Sequence, residues 1–421
     1  MGLIAAFASA SGCTTGGSSA ARRVAAPTSQ AANSGSSAPE CSFGTCPDPR
    51  DVALVAAMTL QEKANQLTQY GSGPATGPDD GGRPKNKSLD DFIREGIGSI
   101  LWNDKGAREA NRLQRIALEQ SRLKIPLLFS FDIIHGYWTT FPVPLAIASS
   151  WNPANAHTMA RVSGLEGYSG GQRWTFAPML DQPIDPRWGR VFETFGEAPR
   201  LSGDFGVATI KGFHGALHGR PDLTPPGELD IATCAKHLVG YGASKAGKDY
   251  AYVDLSMRAL REFHLPPFEA AIKAGVSTIM PAFTTATGGV PMTVNHHILV
   301  DVVRQELGFE GVYVSDYGAI TELTDHGVAA DDMQATVMAL RDGTISIDMQ
   351  DSLIICILPR QYARARSVSS RLIARFYGCL HSSGNLVCGS ILMFRKISKA
   401  MCACRLSIAT RLGRWPANLW C

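Results

Sequence analysis

Polar side chains follow several short apolar runs of this sequence, each at the point where the run ends. Asp132 closes the run Leu127–Phe131, Lys236-His237 ends another run, and Ser315-Asp316-Tyr317 ends a third. If the runs are parallel strands, the loops after them meet at one rim, and side chains placed there collect in one site. An aspartate at such a position can act as a nucleophile toward carbon. The lysine, the histidine and the second carboxylate can bind polar groups of a substrate.

Each of these residues also has a structural explanation. Asp316 could cap a following helix, because Asp is favoured at helix N-termini. Asp132 could cap a turn. Lys236-His237 could be an exposed pair on a loop, but Cys234-Ala235 and Leu238-Val239 flank it, so the segment is mostly apolar. A charge buried there would need a partner.

The apolar runs alternate with helical stretches such as Ala107–Arg122, Asp254–Ala274 and His296–Leu307. Strand, helix, strand at this spacing predicts parallel strands joined by crossover helices. Seven such runs favour an α/β fold of the (β/α)8 TIM-barrel type over an open doubly wound sheet. The runs are Gly96–Trp102, Ile125–Ile134, Arg173–Asp181, Ile231–Leu238, Val276–Phe283, Gly311–Tyr317 and Thr344–Met349.

The segment before the first run predicts a helix. Asp51–Tyr70 has an amphipathic pattern, and Thr59 with Glu62 has the spacing of a capping box at the start of its second half.

Composition limits the classes of function. The chain has 421 residues, 45% of them hydrophobic, and a net charge of +3. That size suits one large barrel or two domains. Residues 1–350 contain 29 basic and 36 acidic side chains, a net of about −7, and this mildly acidic body indicates no nucleic-acid partner. No Gly-x-Gly-x-x-Gly follows the first run and no cysteine spacing suits zinc, so no cofactor and no metal is predicted. No stretch is long and apolar enough for a transmembrane segment.

The amino terminus has the features of an export signal. Residues 1–13 resemble a lipoprotein signal, and residues 14–50 resemble a Ser/Gly/Ala-rich linker. They predict a periplasmic or outer-membrane-anchored protein with a lipid on Cys13. The alternative is a low-complexity terminus with no such role. Cys41 and Cys46 could form a disulfide in an exported protein or remain free thiols.

Three motifs in order resemble glycoside hydrolase family 3. They are Asp185-Pro186-Arg187-Trp188-Gly189-Arg190, Lys236-His237 and Ser315-Asp316-Tyr317-Gly318. The resemblance covers residues 51–350 and is closest to bacterial β-glucosidases. Further stretches that resemble the family are Phe131–Gly136, Ala148–Asn152, Thr175–Met179 and Gly311–Asp316.

The resemblance implies retaining hydrolysis of terminal, non-reducing β-D-glucosyl or β-xylosyl residues. Asp316 would be the nucleophile that forms a covalent glycosyl-enzyme intermediate. Asp132, Lys236, His237 and Arg190 would bind sugar hydroxyls of an oligosaccharide or β-glucoside.

The resemblance also implies roles for neighbouring residues. Tyr317, Trp188 and Met280 would provide apolar walls for the sugar, and Arg187 would be structural. Two alternatives stay open. Met280 could pack in the core, and Arg190 could form an ordinary ion pair with Glu193 or Glu197.

The sequence departs from the family near residue 350. The family continues with an α/β sandwich domain that supplies the general acid/base, and no such domain is recognised here. Residues 351–421 contain eleven Lys or Arg and one acidic residue, a net charge of +10. They are predicted to be an aberrant tail that does not form a domain. The alternative is a basic membrane- or RNA-binding tail. Gly288-Gly289 also stands where the family usually has Asn-Gly.

These departures predict impaired activity and leave two other functions open. One is a β-N-acetylhexosaminidase of the same family, suggested by Lys236-His237-Leu238-Val239-Gly240. The other is a truncated, catalytically silent product that only binds sugar.

Overall fold

The computed structural model describes residues 49–72, 87–215, 231–342, 345–351 and 353–357. Within these ranges, short buried strands alternate with helices. The strands are β1 (Thr68–Gly71), β2 (Ser99–Leu101), β3 (Leu128–Phe131), β4 (Trp174–Thr175), β5 (Ala232–Leu238), β6 (Thr278–Pro281), β7 (Val312–Tyr313) and β8 (Asp348–Met349).

The helices lie between these strands and pack around them. The α-helices are α1 (Pro49–Ala57), α2 (Leu60–Gln66), α3 (Leu89–Arg94), α4 (Gly106–Arg115), α5 (Pro144–Ala148), α6 (Pro153–Ser169), α7 (Pro199–Phe213), α8 (Met257–Ala259), α9 (Pro266–Lys273), α10 (Glu322–Asp325) and α11 (Asp332–Arg341). Wider, π-helical turns span Ile116–Gln120, Leu260–His264 and His297–Glu306, and 3-10 turns span Val191–Glu193, Tyr241–Ala243, Lys245–Gly247 and Met292–Val294.

The strands form one parallel sheet in the order β7-β6-β5-β4-β3-β2-β1-β8. A parallel bridge between Val314 and Ile347 joins the two ends of that order. The Ser315 N–H donates to the Ile347 carbonyl across the same seam at 2.9 Å. The sheet is therefore closed, and the predicted (β/α)8 barrel is confirmed. Each of the seven predicted runs contains one strand.

The predicted helix over Asp51–Tyr70 is wrong in its last part. The Thr59 capping box is present, and it begins a separate helix, α2, after α1 has ended at Ala57. Residues Thr68–Gly71 then form β1, whose register pairs Gln69 with Ser99 of β2. This strand has no apolar run because Gln69 points into the barrel and donates to the hydroxyls of Ser99 and Ser130, at 3.1 and 3.2 Å. Hydrophobic periodicity cannot detect a strand whose buried side chain is polar and donates hydrogen bonds to neighbouring strands.

Apolar side chains fill the barrel interior, including Leu101, Leu128, Trp174, Met280 and Met349. The Trp174 indole N–H donates to the Thr278 hydroxyl at 2.9 Å, so the largest interior side chain has its polar group paired. A second, larger cluster lies between the strands and the surrounding helices. The rim of the barrel is thus supported by a packed interior, and its side chains are held in place.

The barrel extends past residue 350, where the sequence predicts the tail to begin. Asp351 is 6% exposed, and its carboxylate accepts the Ile320 N–H at 2.9 Å and the Thr321 hydroxyl at 2.7 Å. Residues 353–357 are helical, and Leu353, Ile354 and Ile355 are buried against the barrel. These residues therefore belong with the fold.

The other predictions for the chain termini lie outside the described residues. They are the signal with Cys13, the linker with Cys41 and Cys46, and the tail from residue 358 onward. In the part of the chain that is described, no helix has the length and apolar character needed to cross a bilayer.

Candidate active site at the carboxyl ends of the strands

Asp316 lies just after β7 and is 8% exposed. Its Oδ1 accepts the Tyr317 N–H at 2.7 Å, whereas its Oδ2 is buried and has no hydrogen-bond partner among the described residues. The next α-helix, α10, starts only at Glu322, so the carboxylate does not cap it. The capping alternative for Asp316 is therefore not supported, and one carboxylate oxygen is left to act on something else.

Burial raises the pKa of Asp316 from 3.8 to about 6, and Asp132 adds to this shift. The positive charges of Arg190 and Lys236 and the Tyr317 N–H act in the opposite direction. The group is therefore mostly ionised at neutral pH. A buried carboxylate with an unpaired oxygen is costly to maintain, and such groups concentrate at functional sites.

Lys236, near the end of β5, forms an ion pair with Asp132, which follows β3. Its side chain is buried, and its Nζ donates to Asp132 Oδ1 at 2.7 Å. The Asp132 side chain is 33% exposed, and its Oδ2 accepts the Trp102 indole N–H at 3.0 Å. Burial works to raise the pKa of Asp132, but Lys236 and Trp102 hold it below the ordinary value. Lys236 is thus a paired, buried cation, and the alternative of an exposed loop pair is not supported.

His237 contacts Asp181, a residue that the sequence did not single out. Asp181 Oδ2 lies 2.9 Å from His237 Nδ1 and accepts the His237 backbone N–H at 3.0 Å. His237 Nε2 lies 3.6 Å from Asp316 Oδ2. Burial, with the nearby charges of Arg190 and Lys236, lowers the pKa of His237 well below its ordinary value, while burial raises the pKa of Asp181 to about 7. His237 is therefore a neutral imidazole.

Asp181 could have been found from the sequence. It is the last residue of the predicted run Arg173–Asp181, so it satisfies the same strand-end rule as Asp132 and Asp316.

Arg190 forms a two-point ion pair with Glu193, with distances of 2.8 and 3.0 Å from Nε and Nη2. Its side chain is 24% exposed, and its guanidinium lies 5.7 Å from the centre of the Tyr241 ring. The ion pair that the sequence allowed is present. It lies beside the site, because the Tyr241 ring also contacts His237, with ring centres 5.2 Å apart. The charge of Arg190 acts on both Asp316 and His237.

The three predicted apolar walls lie in different environments. Tyr317 is partly buried and stacks on Trp102, with ring centres 5.7 Å apart. Met280 is 2% exposed and lies in the barrel interior, which favours the core-packing alternative. Trp188 is also buried, where it packs on Tyr241 and donates its indole N–H to Asp249 at 2.9 Å. Burial does not favour direct contact of Trp188 or Met280 with a substrate.

Tyr250 is an aromatic residue at the rim that the sequence did not indicate. It is 46% exposed, and its ring centre lies 4.8 Å from that of Phe283. Burial raises the pKa of Tyr250 to about 12, and the charge of Asp316 adds to this shift.

Two further sequence observations concern the loops. Arg187 is exposed and pairs with Asp185 at 2.6 Å, as expected of a structural residue. Gly288 and Gly289 have φ angles of +66° and +71°, which glycine adopts without strain. In the described ranges no three His, Cys, Asp or Glu side chains are grouped so as to hold a metal ion.

Residues 59–355 match the profile of the "Glycosyl hydrolase family 3 N terminal domain". The chain is 37% identical over 316 residues to a periplasmic beta-glucosidase of Salmonella typhimurium, covering 74% of this chain and 39% of that protein. It is 37% identical to a beta-xylosidase of Formosa agariphila, covering 61% of this chain and 36% of that protein.

Solved structures give a similar result. A beta-glucosidase from Listeria innocua in complex with isofagomine superposes with a TM-score of 0.72 at 32% identity, covering 88% of this chain and 48% of that one. The same enzyme in complex with glucose gives 0.71 at 31% identity, covering 84% and 47%. The chain thus spans less than half the length of each of these relatives.

Proposed function

The chain belongs to glycoside hydrolase family 3, and from that premise we propose that it is the nucleophile-bearing barrel of a β-glucosidase. The reaction would be hydrolysis of terminal, non-reducing β-D-glucosyl residues with retention of configuration. The observation that carries the proposal is the buried, ionised carboxylate of Asp316 with its unpaired Oδ2. Relatives named β-glucosidase and β-xylosidase make a glucoside the first substrate to test and a xyloside the second.

In the first step, Asp316 Oδ2 forms a bond to the anomeric carbon as the bond to the leaving-group oxygen breaks. The departing oxygen keeps the bonding electron pair and must be protonated unless it is a stable anion. In the second step, a water oxygen forms a bond to the anomeric carbon as the ester bond to Asp316 breaks. The water loses one proton to solvent, so the products are the free sugar and the ionised carboxylate. The Tyr317 N–H on Oδ1 supports this role because it orients the carboxylate while Oδ2 stays available.

Recognition of the sugar hydroxyls would fall to the ion pair and the imidazole beside Asp316. Each Asp132 oxygen accepts one protein donor and keeps lone pairs for a hydroxyl. When His237 donates Nδ1–H to Asp181, its Nε2 is an acceptor that faces Asp316. Arg190 adds positive charge, which lowers the pKa of the nucleophile.

Protonation of the leaving group is the step that these residues support least. Asp132 is held ionised by Lys236, and Glu193 is engaged by Arg190. General acid catalysis is typically worth about 10²–10⁴-fold. We therefore propose that this chain by itself acts best on glucosides whose leaving group needs no proton.

The hexosaminidase alternative receives no support from the loop after β5. The resemblance to the family implies that its single-domain members with that activity carry their acid/base on a His-containing loop in this region. Residues 241–255 contain Asp249 and Asp254 but no histidine, and Asp249 accepts the Trp188 indole N–H.

The test compares the turnover of three substrates. They are 2,4-dinitrophenyl β-D-glucoside, methyl β-D-glucoside and 2,4-dinitrophenyl N-acetyl-β-D-glucosaminide. We expect turnover of the first substrate, slower turnover of the second by about 10²-fold or more, and none of the third. The 2-deoxy-2-fluoro analogue of the first substrate should label the peptide that contains Asp316, as detected by mass spectrometry. Glucose binding without turnover or labelling would identify a silent sugar-binding product and contradict the proposal.

We also propose that the protein is exported, because the Salmonella relative is named periplasmic and residues 1–13 have the pattern of a lipoprotein signal. Labelled palmitate should enter the full chain expressed in a bacterial host, and Cys13→Ser should abolish that labelling. Equal labelling of both proteins would remove the anchor at Cys13.

A further inference from the structure

Trp102, at the end of β2, has an unusual and firmly held backbone. Its φ angle is +58°, in the left-handed region that a bulky residue rarely adopts. Its N–H donates to the Ser130 carbonyl at 2.9 Å. Its own carbonyl accepts the Asp104 N–H at 2.9 Å and also the Ser72 hydroxyl. Such a conformation costs about 1–3 kcal/mol and persists only where neighbours enforce it, most often at functional sites.

The side chain of Trp102 contacts one carboxylate of the site, Asp132, and the residue that follows the other, Asp316. Its indole N–H donates to Asp132 Oδ2 at 3.0 Å. Its ring stacks on Tyr317 with an interplanar angle of 21°. Tyr317 in turn donates its backbone N–H to Oδ1 of Asp316. One residue therefore contacts the carboxylate expected to bind hydroxyls and the neighbour of the expected nucleophile.

We propose that Trp102 is a positioning residue that fixes the orientation of Asp132 relative to Asp316 and so selects pyranosides with two adjacent, unsubstituted hydroxyls. This inference rests on the proposed function. Lys236 holds only Oδ1 of Asp132, so without a second donor the partly exposed carboxylate can turn about its Cβ–Cγ bond. The indole N–H on Oδ2 prevents this rotation. Both oxygens then present their remaining lone pairs in one fixed plane, which suits two neighbouring hydroxyl donors.

The first test does not depend on turnover. Trp102→Phe keeps an aromatic ring but loses the N–H, and carboxyl carbon resonances of labelled aspartate report the pKa of Asp132, assigned with Asp132→Asn. Losing the donor should raise that pKa by about half a unit or more. The control is Trp138→Phe, since Trp138 is 63% exposed and its ring packs against Tyr137. An Asp132 pKa that is equal in wild type and Trp102→Phe would overturn the inference.

The second test measures sugar binding. Glucose should bind Trp102→Phe about tenfold more weakly than wild type, as expected for one hydrogen bond to a charged group, and Trp138→Phe should bind it normally. Glucose with one of two adjacent hydroxyls methylated should bind wild type poorly and lose little more in Trp102→Phe. Failure of the wild type to bind glucose would contradict the proposed function, whereas the aspartate titration still decides whether Trp102 orients Asp132.

A third readout covers the case in which Trp102→Phe does not fold. The chain has seven tryptophans, so seven indole N–H resonances are expected in a spectrum of labelled protein. One of them should shift in Asp132→Asn, because that variant changes the acceptor of the Trp102 N–H. If none shifts, the hydrogen bond is absent in solution and the inference fails.

Discussion

Replacing Asp316 with asparagine should reduce turnover of an activated aryl β-glucoside by on the order of 10⁴-fold or more. The amide has the size of the carboxylate but cannot form the glycosyl ester with the anomeric carbon. The loss should appear in kcat for 2,4-dinitrophenyl β-D-glucoside, while the near-ultraviolet circular dichroism stays that of the wild type. Wild-type kcat in the purified variant would show that Asp316 is not the nucleophile.

The same substitution should change stability in a way that depends on pH. The pKa of Asp316 is about 6 in the folded chain and 3.8 in a model compound, so the folded state disfavours the ionised form. Wild type therefore loses stability as pH rises from about 4 to about 6, by up to about 3 kcal/mol at 1.36 kcal/mol per pKa unit. The amide introduced by Asp316→Asn carries no such charge. The melting temperature of the variant relative to wild type should thus be higher at pH 7 than at pH 4.

Asp185→Asn is the matched control for this pH dependence. Arg187 holds the pKa of the partly buried Asp185 at about 2, so removing that charge should give no stabilisation at pH 7. If Asp316→Asn shows the same melting-temperature difference from wild type at both pH values, burial does not raise the pKa of Asp316, and the side chain is more exposed in solution than in the structure.

Ending the chain after Gln350 should prevent the barrel from folding stably, whereas ending it after Ile357 should not. The shorter chain lacks Asp351 and the buried side chains of Leu353, Ile354 and Ile355. Each buried aliphatic side chain contributes roughly 1.5–3 kcal/mol, and whole domains are stable by only about 5–15 kcal/mol. Urea unfolding followed by circular dichroism should show a transition like that of the full chain only for the longer variant.

Ile354→Ala in the full chain is the control, because it removes one side chain and leaves the chain length unchanged. Ile354 is fully buried, so the substitution should lower the free energy of unfolding by about 2–5 kcal/mol. For residues 358–421, the same truncation series tests the prediction that the tail, given from the sequence as residues 351–421, forms no folded domain. A chain ending after Gln350 that unfolds at the full-chain urea midpoint would show that residues 351–357 do not belong to the fold.

The sequence predicted the barrel and the position of Asp316 because both depend on local order along the chain. Strand, helix and strand-end polar residues repeat at regular spacing, and that pattern is visible without any knowledge of contacts. β1 was missed since its interior side chain, Gln69, is polar and obtains its hydrogen bonds from two other strands.

Partners within the site could not be predicted in the same way. Lys236 and Asp132 are 104 residues apart, and His237 and Asp181 are 56 apart. Periodicity says which face a residue occupies, but it does not say which side chain across the rim will meet it. The contact of Trp102 with Asp132 also depends on a left-handed backbone that no residue preference for tryptophan suggests.

The seam between Val314 and Ile347 can close only after the last strand of the barrel has been synthesised. Asp316 stands one residue beyond Ser315, whose N–H reaches across that seam to Ile347. Until β8 has left the ribosome, β7, which leads to Asp316, has a neighbouring strand on one side only, and the barrel is open beside that residue. Chains emerge at about 5–20 residues per second, so this interval lasts on the order of seconds. In a nascent chain, the carboxylate of Asp316 therefore becomes enclosed only when the barrel closes.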